Sequence, residues 1–503
     1  HVEDEGTFGC ISCRVDSNIA QTDGGGIYVG INGQLKFSFS NVTNNVAVRN
    51  GGGIYLNRSI GITPYNPLQQ QSSPNGNTEP RNKGETVVSV SNNVAGAMGG
   101  GLYLSQATVM DDKQDKDDNF KSLCIDGGSL FPNILITLNR AGYSGGGIFV
   151  HILQEGLGQF IELRGMQILQ NFIQDDLLNM FTKDEQLHHQ NNDEMGCSNA
   201  KYGHSKRDMS GHRCGGGGMV IDSKDAHSKQ VLVATSVIKE NTASWSGGGI
   251  HARHASVVLK NTKLESNTAK KYGGGIYGLG LDLSLTDSQI ISNHAIDGAG
   301  VHLRGGDISR HKPSTLVGLG STSVLSGNVA EERGGNLMID TITCRKELKE
   351  KKCLNHLGCE WSLTSRTCIL NPTETRTTVT NVVAVDGVAN EGGGICISNA
   401  KVVLQQNEVI ANHAKVTGGG ICLLPGATVD VLQGLLISLN VAEVSGGGLA
   451  LKKETVFNST SSTSLINGKT ELTTIIDRNV AWLNGGGVHM NDANSISSDG
   501  TPL

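Results

Sequence analysis

One short pattern recurs along the whole of this 503-residue chain. It consists of an aliphatic residue, two variable residues, Asn, a variable residue, Ala, three variable residues, three glycines, and two aliphatic residues separated by one position. The copy at 42–56 reads VTNNVAVRNGGGIYL, and 13 copies can be aligned when degenerate ones are included. A repeat with a fixed period is typical of a solenoid, in which each unit packs only against its neighbours.

The spacing of the copies indicates the type of solenoid. Ile250, Ile276 and Val301 occupy the same repeat position and are 26 and 25 residues apart. At about 3.3 Å per strand residue, this length suits three short strands and three corners. Aliphatic residues alternate before the Asn and after the glycines, as in strands with one buried face. We therefore predict an all-β fold, a parallel β-helix (solenoid) of about 13 rungs with aliphatic ladders as its core.

The Asn and the glycines are expected to shape the corners. Asn tolerates the left-handed backbone region, and stacked Asn amides can hydrogen-bond along the solenoid. Asp386 takes the Asn position in one copy, and the predicted structural ladder comprises Asn18, Asn45, Asn93, Asn139, Asn171, Asn241, Asn267, Asn293, Asn328, Asn412, Asn440 and Asn479. The glycine triplet implies either positive φ angles or a backbone lying against it. In the second case, whatever covers the glycine face is a candidate partner.

Residues in excess of one rung are expected to leave the solenoid as lateral loops, although the longer gaps could instead hide a degenerate rung. The solenoid is predicted over 1–339 with loop insertions at 57–91, 105–133, 174–214 and 305–320, and over 381–503 with a further insertion at 452–472. Segment 340–380 is predicted to be a small cysteine-rich insertion. We expect the parent chain to continue beyond residues 1 and 503.

Composition narrows the functional classes. With 68 glycines, 4% aromatic and 37% hydrophobic residues, a single thick core is not expected. A net charge of -6 without a Lys/Arg-rich tract argues against nucleic acid as a partner. No apolar run approaches the roughly 20 residues of a membrane-spanning helix. Eleven cysteines favour an oxidising compartment, and we predict neither a cofactor nor a metal.

The repeat resembles that of the chlamydial polymorphic outer-membrane proteins, in which an F-x-x-N element and a G-G-A-I element recur. The resemblance covers nearly the whole chain and implies a right-handed parallel β-helix in a secreted or surface-exposed protein. Here the family's Phe is replaced by Val, Ile or Leu, and the third position of G-G-A-I is Gly in nearly every copy. Segment 344–368 also resembles the cysteine-rich module of plexins, semaphorins and integrins, which implies an extracellular protein.

Several cysteines are candidates for disulfides. Within 344–368 these are Cys344, Cys353, Cys359 and Cys368, whose spacing does not favour a zinc site. Cys197 and Cys214 lie in insertion 174–214, which also contains four histidines. The two cysteines either form a disulfide at the base of the insertion or contribute to a metal cluster. Cys396 and Cys422 occupy the same position on consecutive rungs, where they either form a disulfide or remain two thiols. A redox role for the C-x-x-C of Cys10 and Cys13 is not expected.

Three sequons are candidate glycosylation sites if the protein is secreted by a eukaryotic cell: Asn41, Asn57 and Asn458. Asn57 and Asn458 are favoured because they lie at the entries to predicted loops.

The residue between the two aliphatic positions after the glycines is predicted to point outwards. These residues form a candidate binding or assembly stripe rich in aromatic side chains: Tyr28, Tyr55, Tyr103, Phe149, His251, Tyr277, His302 and His489. Such a stripe can stack on sugars or pack against another protein. Alternatively, the rings stabilise one another or lie under the loops.

Function is predicted from these features together. Polysaccharide-cleaving enzymes need paired acids a few ångströms apart, and no two consecutive rungs carry Asp or Glu at matched positions with a nearby Arg. We expect a non-catalytic, secreted or cell-surface structural protein, a building block of an extracellular fibre, flagellar hair or surface layer. Its expected partners are copies of itself or other extracellular proteins. The alternatives are an adhesin that binds host receptors or glycans and, less favoured, a polysaccharide lyase or hydrolase.

Overall fold

The computed structural model of the chain describes residues 1–59, 61–64, 88–106, 123–126, 134–152, 161–174, 215–223, 230–305, 314–319, 323–341, 359–362, 367–370, 376–459, 474–491 and 496–497. Within these ranges the chain forms 53 β-strands and no helix. It divides into two compact units, His1–Asp222 with Lys229–Ser244, and Ser223–Ser228 with Trp245–Leu503.

The strands lie in three long parallel sheets, which confirms the predicted parallel β-helix of about 13 rungs. In each rung the chain passes from sheet 1 to sheet 2, which follows the Asn, and then to sheet 3, which follows the glycines. Sheets 2 and 3 contain 13 strands each, and sheet 1 contains 25 because most rungs contribute two successive short strands to it.

The strand bounds follow the repeat closely. Sheet 1 contains Thr7–Ile11, Arg14–Asp16, Gln34–Ser38, Asn41–Thr43, Gly61–Pro64, Val88–Ser91, Leu123–Asp126, Ile134–Thr137, Ile161–Arg164, Met166–Leu169, Gln230–Ala234, Val237–Lys239, Ser256–Lys260, Lys263–Glu265, Asp282–Thr286, Gln289–Ile291, Thr315–Leu319, Val324–Ser326, Arg376–Thr380, Val383–Val385, Lys401–Ile410, Thr428–Ser438, Val456–Ser459, Ile475–Asp477 and Ile496–Ser497. Sheet 2 contains Ile19–Ala20, Val46–Ala47, Val94–Ala95, Arg140–Ala141, Phe172–Ile173, Thr242–Ala243, Thr268–Ala269, His294–Asp297, Val329–Arg333, Val388–Glu391, His413–Thr417, Val441–Ala442 and Val480–Ala481. Sheet 3 contains Ile27–Val29, Ile54–Asn57, Leu102–Gln106, Ile148–Ile152, Met219–Ser223, Ile250–Arg253, Ile276–Leu279, Val301–Arg304, Leu337–Asp340, Ile395–Ser398, Ile421–Leu423, Leu449–Leu451 and Val488–Met490. Two antiparallel strands, Cys359–Ser362 and Thr367–Leu370, form a separate hairpin.

Most of the predicted loop insertions include strands of sheet 1. The strands concerned are Gly61–Pro64, Val88–Ser91, Leu123–Asp126, Thr315–Leu319, Arg376–Thr380 and Val456–Ser459. Each of them pairs in parallel with a neighbouring rung, so these segments contribute rung strands as well as excess residues. Insertion 174–214 lies outside the described residues except for Gln174, and the division into domains stays a prediction.

Aliphatic ladders fill the core. In the first unit, Val42, Val90, Ile136, Ile168 and Ile238 are fully buried. Each of them pairs in register with the next one along this series. Identical repeat positions therefore contact one another from rung to rung, and the core is built from side chains of nearly constant size.

The Asn residues form hydrogen-bonded amide ladders. Asn93 is typical: its Nδ2 donates to Asn139 Oδ1 at 3.0 Å and to the carbonyl oxygen of Val42 at 2.9 Å. The backbone nitrogen of Asn93 also donates to Asn139 Oδ1, at 3.0 Å. The same amide-to-amide contact links Asn18 through Asn241 in the first unit and recurs between ladder members in the second. The nitrogen and oxygen of each buried amide thereby have hydrogen-bond partners, as polar groups in a protein interior require.

The left-handed corner lies one residue earlier than predicted. Positive φ angles occur at the residue before the ladder Asn, as at Asn44, Leu138 and Leu439, and not at the Asn itself. The proposed reason for Asn, that it tolerates this backbone region, was therefore wrong. The structure gives a different reason, because only a short amide can both donate and accept along the stack.

The rung that contains Asp386 is also offset by one residue from the predicted alignment. Val388 pairs with Val329, which directly follows Asn328, so Gly387 and not Asp386 occupies the ladder position. Asp386 takes the left-handed corner, with φ 52°. The missing amide comes from Asn336, which stands at the third position of the preceding rung's glycine triplet. Asn328 Nδ2 donates to Asn336 Oδ1 at 2.8 Å, and Asn336 Nδ2 donates to Asn412 Oδ1 at 3.0 Å.

The first glycine of the triplet is required by its positive φ, and the second and third by the close approach of the next rung, as Gly51, Gly52 and Gly53 illustrate. Gly51 has φ 64°, and a Cβ there would lie 2.9 Å from Tyr55 Cβ. A Cβ on Gly52 would lie 2.4 Å from the carbonyl oxygen of Val94, and one on Gly53 would lie 2.6 Å from that of Gly101. The atoms that cover the glycine face therefore belong to the next rung of the same chain. The expectation that an external partner covers this face was wrong.

Candidate functional site

The candidate site is the column of residues between the two aliphatic positions of each sheet 3 strand, which we call the stripe. In the first unit, Tyr28, Tyr55, Tyr103 and Phe149 pair in register. In the second unit the in-register series is His251, Tyr277, His302, Met338, Cys396, Cys422, Ala450 and His489.

The stripe does not form an exposed outer face, which corrects the prediction. Tyr103, Phe149, His251, Tyr277 and His302 are between 0% and 6% exposed. Only three of the predicted stripe residues are half-buried, namely Tyr28, Tyr55 and His489.

A second column explains this burial. The residue before each glycine triplet lies beside the stripe, because the left-handed first glycine turns the chain back on itself. Met98 packs against the cluster of Tyr103, Phe149 and Val220, and the Tyr272 ring contacts the His302 ring edge-on at 5.0 Å. The strand alternation correctly indicated which side chains leave the aliphatic core. It could not show that neighbouring side chains cover them on the other side.

The rings of the first unit form a stack. Ring centroids are 5.2 Å apart for Tyr28 and Tyr55, 4.9 Å for Tyr55 and Tyr103, and 5.3 Å for Tyr103 and Phe149. The planes are within 6° of parallel in each pair. Aromatic pairs contribute about 0.5–1.5 kcal/mol each beyond the area they bury. These rings therefore stabilise the junctions between rungs.

Burial raises the pKa of two phenols of this stack, Tyr55 and Tyr103. Burial raises the pKa of Tyr55 to about 12, and the nearby Asp23 carboxylate adds to the shift. Asp23 forms an ion pair with Arg49 beside the rings. Tyr103 Oη lies 3.2 Å from His151 Nδ1, and Tyr28 Oη accepts a hydrogen bond from Asn57 Nδ2 at 3.2 Å. The phenol oxygens of Tyr28 and Tyr103 thus contact polar groups of the same chain.

The stripe of the second unit carries polar and charged groups. Ser246 Oγ lies 2.9 Å from His251 Nδ1, and His302 Nε2 lies 3.2 Å from Asp340 Oδ1. Arg304 Nε is 3.5 Å from the same Asp340 oxygen. Burial opposes ionisation of Asp340, but His302 and Arg304 keep the pKa of this carboxyl below its ordinary value. His302 and Arg304 thus stabilise the charged form of Asp340, whose side chain is 19% exposed. Both Ser246 and His251 are at most 1% exposed, so their contact is closed to a substrate in this conformation.

Sulfur atoms occupy the next positions of the stripe. Met338, Cys396 and Cys422 are fully buried and pack together with Leu424. Cys396 and Cys422 pair in register, yet both are free thiols. Of the two alternatives that the sequence left open, the structure has the pair of thiols and not the disulfide. Burial raises the pKa of the Cys396 thiol well above its usual value, and its hydrogen bond with Cys422 adds to this.

The other cysteine predictions fare differently. A disulfide joins Cys10 and Cys13, which sequence reasoning missed although the C-x-x-C spacing was visible. Cys359 and Cys368 lie on the two strands of the hairpin, where Trp361 opposes Cys368 and Leu370 opposes Cys359. The remaining candidates fall outside the described residues: Cys197, Cys214, Cys344 and Cys353.

Access to the three sequons differs from the expectation. Asn41 is exposed. Asn57 and Asn458 are half-buried, and their Nδ2 atoms donate to Tyr28 Oη and, at 2.9 Å, to Asp430 Oδ1. The preference for Asn57 and Asn458 on grounds of access was wrong, because these two side chains are half-buried and hydrogen-bonded whereas that of Asn41 is exposed.

Among the residues that the structure describes, no group of three or more His, Cys, Asp or Glu side chains is arranged to hold a metal ion. Over the same residues, no helix has the length and hydropathy to cross a membrane.

Comparison with known proteins adds no relative. No protein-family model matches this chain, and neither does any curated protein or solved structure.

Proposed function

We propose that this chain is a non-catalytic structural protein, a β-helical building block of an extracellular fibre, hair or surface layer. The proposal rests on the burial of the stripe residues between rungs. The rings of the stripe are the feature of the sequence best suited to bind a ligand, and most of them are buried in contacts between rungs. Side chains committed to the junctions between rungs favour a load-bearing role.

The repeated contacts also suit a structural element. Each junction combines backbone hydrogen bonds, an amide contact such as Asn45 to Asn93 at 3.0 Å, and aliphatic side chains in register. Because every rung is bonded to its neighbours in this way, local opening has to break several kinds of contact at once. A protein of this kind is expected to resist proteolysis within its rungs.

An extracellular location is supported by three features of the chain. The disulfide between Cys10 and Cys13 is of a kind that persists mainly in oxidising compartments. The repeat resembles that of the chlamydial polymorphic outer-membrane proteins, which are surface-exposed. The resemblance of 344–368 to an extracellular cysteine-rich module points in the same direction.

Immunogold electron microscopy tests this proposal. Antibodies raised against the purified chain are applied to intact cells of the producing organism, with pre-immune serum as the control. We expect gold particles to follow fibres, hairs or a continuous layer outside the cell. Labelling confined to the cell interior, or a secreted protein that labels no surface structure, contradicts the proposal.

A second candidate function, glycan binding by an adhesin, keeps one supporting observation. Tyr28 and Tyr55 are only half-buried, so part of these two aromatic side chains is accessible to a sugar. A glycan array compares the wild-type chain with Tyr28→Ser and Tyr55→Ser. Binding that the two variants lose supports the adhesin, and an array without wild-type binding removes it.

A further inference from the structure

Three sulfur-bearing side chains follow one another in the stripe of the second unit. Met338 pairs in register with Cys396, and Cys396 pairs in register with Cys422. All three are completely buried and contact one another in one cluster. Neighbouring strands of a sheet are about 4.8 Å apart, so the two thiols face the same side of the sheet at this separation.

We propose that Cys396 and Cys422, with Met338 as a third donor, form a buried binding site for a soft monovalent cation of the Cu(I) class. Thiolate and thioether sulfurs are the ligands that select such ions over harder ones. The proposal is independent of the structural role proposed above, and it concerns two thiols that this role does not use.

The spacing of the rungs fits two metal–sulfur bonds. A metal–thiolate bond of about 2.3 Å, the length found for zinc, places two sulfurs about 4.6 Å apart on opposite sides of the ion. This value is close to the separation of about 4.8 Å between in-register neighbours in a sheet. Met338 lies one rung away on the other side of Cys396 and belongs to the same buried cluster, and its unbranched thioether side chain is flexible.

The uptake reaction is a ligand exchange without a redox step. One cation and two thiols give a bis-thiolate complex with a single negative charge, and two protons are released. The charged groups that act on the pair are Arg333, Lys452 and Glu391. Lys452 forms an ion pair with Glu391, and Arg333 one with Asp297 at 2.6 Å. Arg333 and Lys452 favour the anionic complex and Glu391 opposes it. The complete burial of the three sulfur-bearing side chains excludes water as a competing ligand.

The test uses the full chain, purified without oxygen in a phosphine reductant. Cu(I) is supplied as its bicinchoninate complex, and the copper retained after desalting is measured by atomic absorption. The wild type is compared with the double variant Cys396→Ala/Cys422→Ala. Alanine is suited to this column because Ala450 occupies it in the next rung. Val220→Ala, a truncation in the same column without a thiol, is the matched control.

We expect the double variant to retain one Cu(I) fewer per chain than the wild type, and Val220→Ala to retain the same amount. We also expect Cu(I) to raise the Tm of the wild type more than that of the double variant, because a ligand stabilises the state that binds it. Met338→Leu should weaken retention about tenfold against the chelator, as loss of a supporting group at a metal site does.

Two outcomes overturn the site. One is equal copper retention by the wild type and the double variant, with both folded as judged by circular dichroism. The other is a disulfide between Cys396 and Cys422, found by peptide mapping in protein that was purified without reductant.

Discussion

The side chain of Asn336 occupies the place that an Asn at position 387 would fill. A Cβ on Gly387 would lie 2.5 Å from Asn336 Nδ2, so the two side chains cannot be present together. At the other junctions, the third glycine leaves room for the Asn of the next rung, as Gly394 does for Asn412. The chain has therefore exchanged Gly and Asn between two neighbouring rungs while keeping the amide ladder continuous.

This exchange predicts a compensating pair of mutations. Asn336→Gly removes the acceptor of Asn328 Nδ2 and the donor to Asn412 Oδ1, and we expect a loss of about 1–3 kcal/mol for the buried groups left unpaired. Gly387→Asn alone should also destabilise, because a side chain there meets both Asn336 and the carbonyl oxygen of Gly393. The double variant should lose less than the sum of the two single losses, because the contact with Asn336 is relieved and only the contact with the Gly393 carbonyl oxygen remains. Urea unfolding midpoints measure all three.

Asn261→Gly is the control for these three variants. Asn261 is an exposed residue at a left-handed corner, with φ 49°. Its substitution should change stability by less than about 0.5 kcal/mol. Additive losses in the double variant would show that positions 336 and 387 do not compensate for each other.

Leu439 is predicted to be a strained corner. It has φ 60° and is 48% exposed, so its side chain gains little burial in a backbone region that costs non-glycine residues about 1–2 kcal/mol. Leu439→Asn should raise the Tm, because Asn adopts this conformation more readily. Leu432→Asn, at a leucine that is 43% exposed without a positive φ, should give no such gain. A lower Tm for Leu439→Asn would contradict the assignment of strain.

The stacked rings predict a large effect at Tyr103. Its ring lies between those of Tyr55 and Phe149, at 4.9 and 5.3 Å. Tyr103→Ser should cost about 3–5 kcal/mol, as the truncation of a buried aromatic residue does. Tyr103→Phe keeps the stack and loses only the contact of Oη with His151, so it should cost about 1 kcal/mol. Equal losses in the two variants, measured by denaturant unfolding, would show that the stack contributes little.

Alkaline pH should destabilise the second unit through Tyr277. Burial raises the pKa of this phenol to about 12, above the value of about 10 for an unfolded tyrosine. The native state therefore holds the proton more tightly. Its stabilising contribution is complete below about pH 10 and is lost as the pH rises through about 12. Tyr277→Phe should flatten the fall of Tm with pH in this window, whereas parallel curves for the variant and the wild type would contradict the assignment.

Glycosylation should follow the exposure of the sequons. In protein secreted from a eukaryotic host, we expect the folded fraction to carry a glycan at Asn41 and not at Asn57 or Asn458, whose Nδ2 atoms already donate hydrogen bonds. Site occupancy is measured by mass spectrometry, with Asn41→Gln as the control. Occupancy at Asn57 equal to that at Asn41 would count against this ranking.

The sequence was sufficient to predict the fold because each position of the repeat has the same structural role in every rung. The aliphatic residue before the Asn, such as Ile136, lies in a ladder of its own kind, and the triplet glycines mark close backbone contacts. A period of 25–26 residues then leaves few alternatives to a parallel β-helix.

The sequence could not show which residues at different positions of the repeat contact one another. Tyr272 precedes a glycine triplet and contacts His302 of the next rung, a pairing that depends on the turn at the first glycine. The register of the rung at Gly387 was missed for a similar reason. Asp386 is chemically closer to Asn, and only the position of Asn336 in the neighbouring rung reveals that Gly387 fills the ladder position.

The exchange between Asn336 and Gly387 also fixes the order of two rungs. A rung with the usual Asn and three glycines fits above or below any other of its kind, so such rungs can be duplicated or deleted without leaving a hole. The rung that ends in Asn336 fits only before the rung that begins with Gly387. If the length of this solenoid changes by recombination between its repeats, these two rungs can be gained or lost only as a pair.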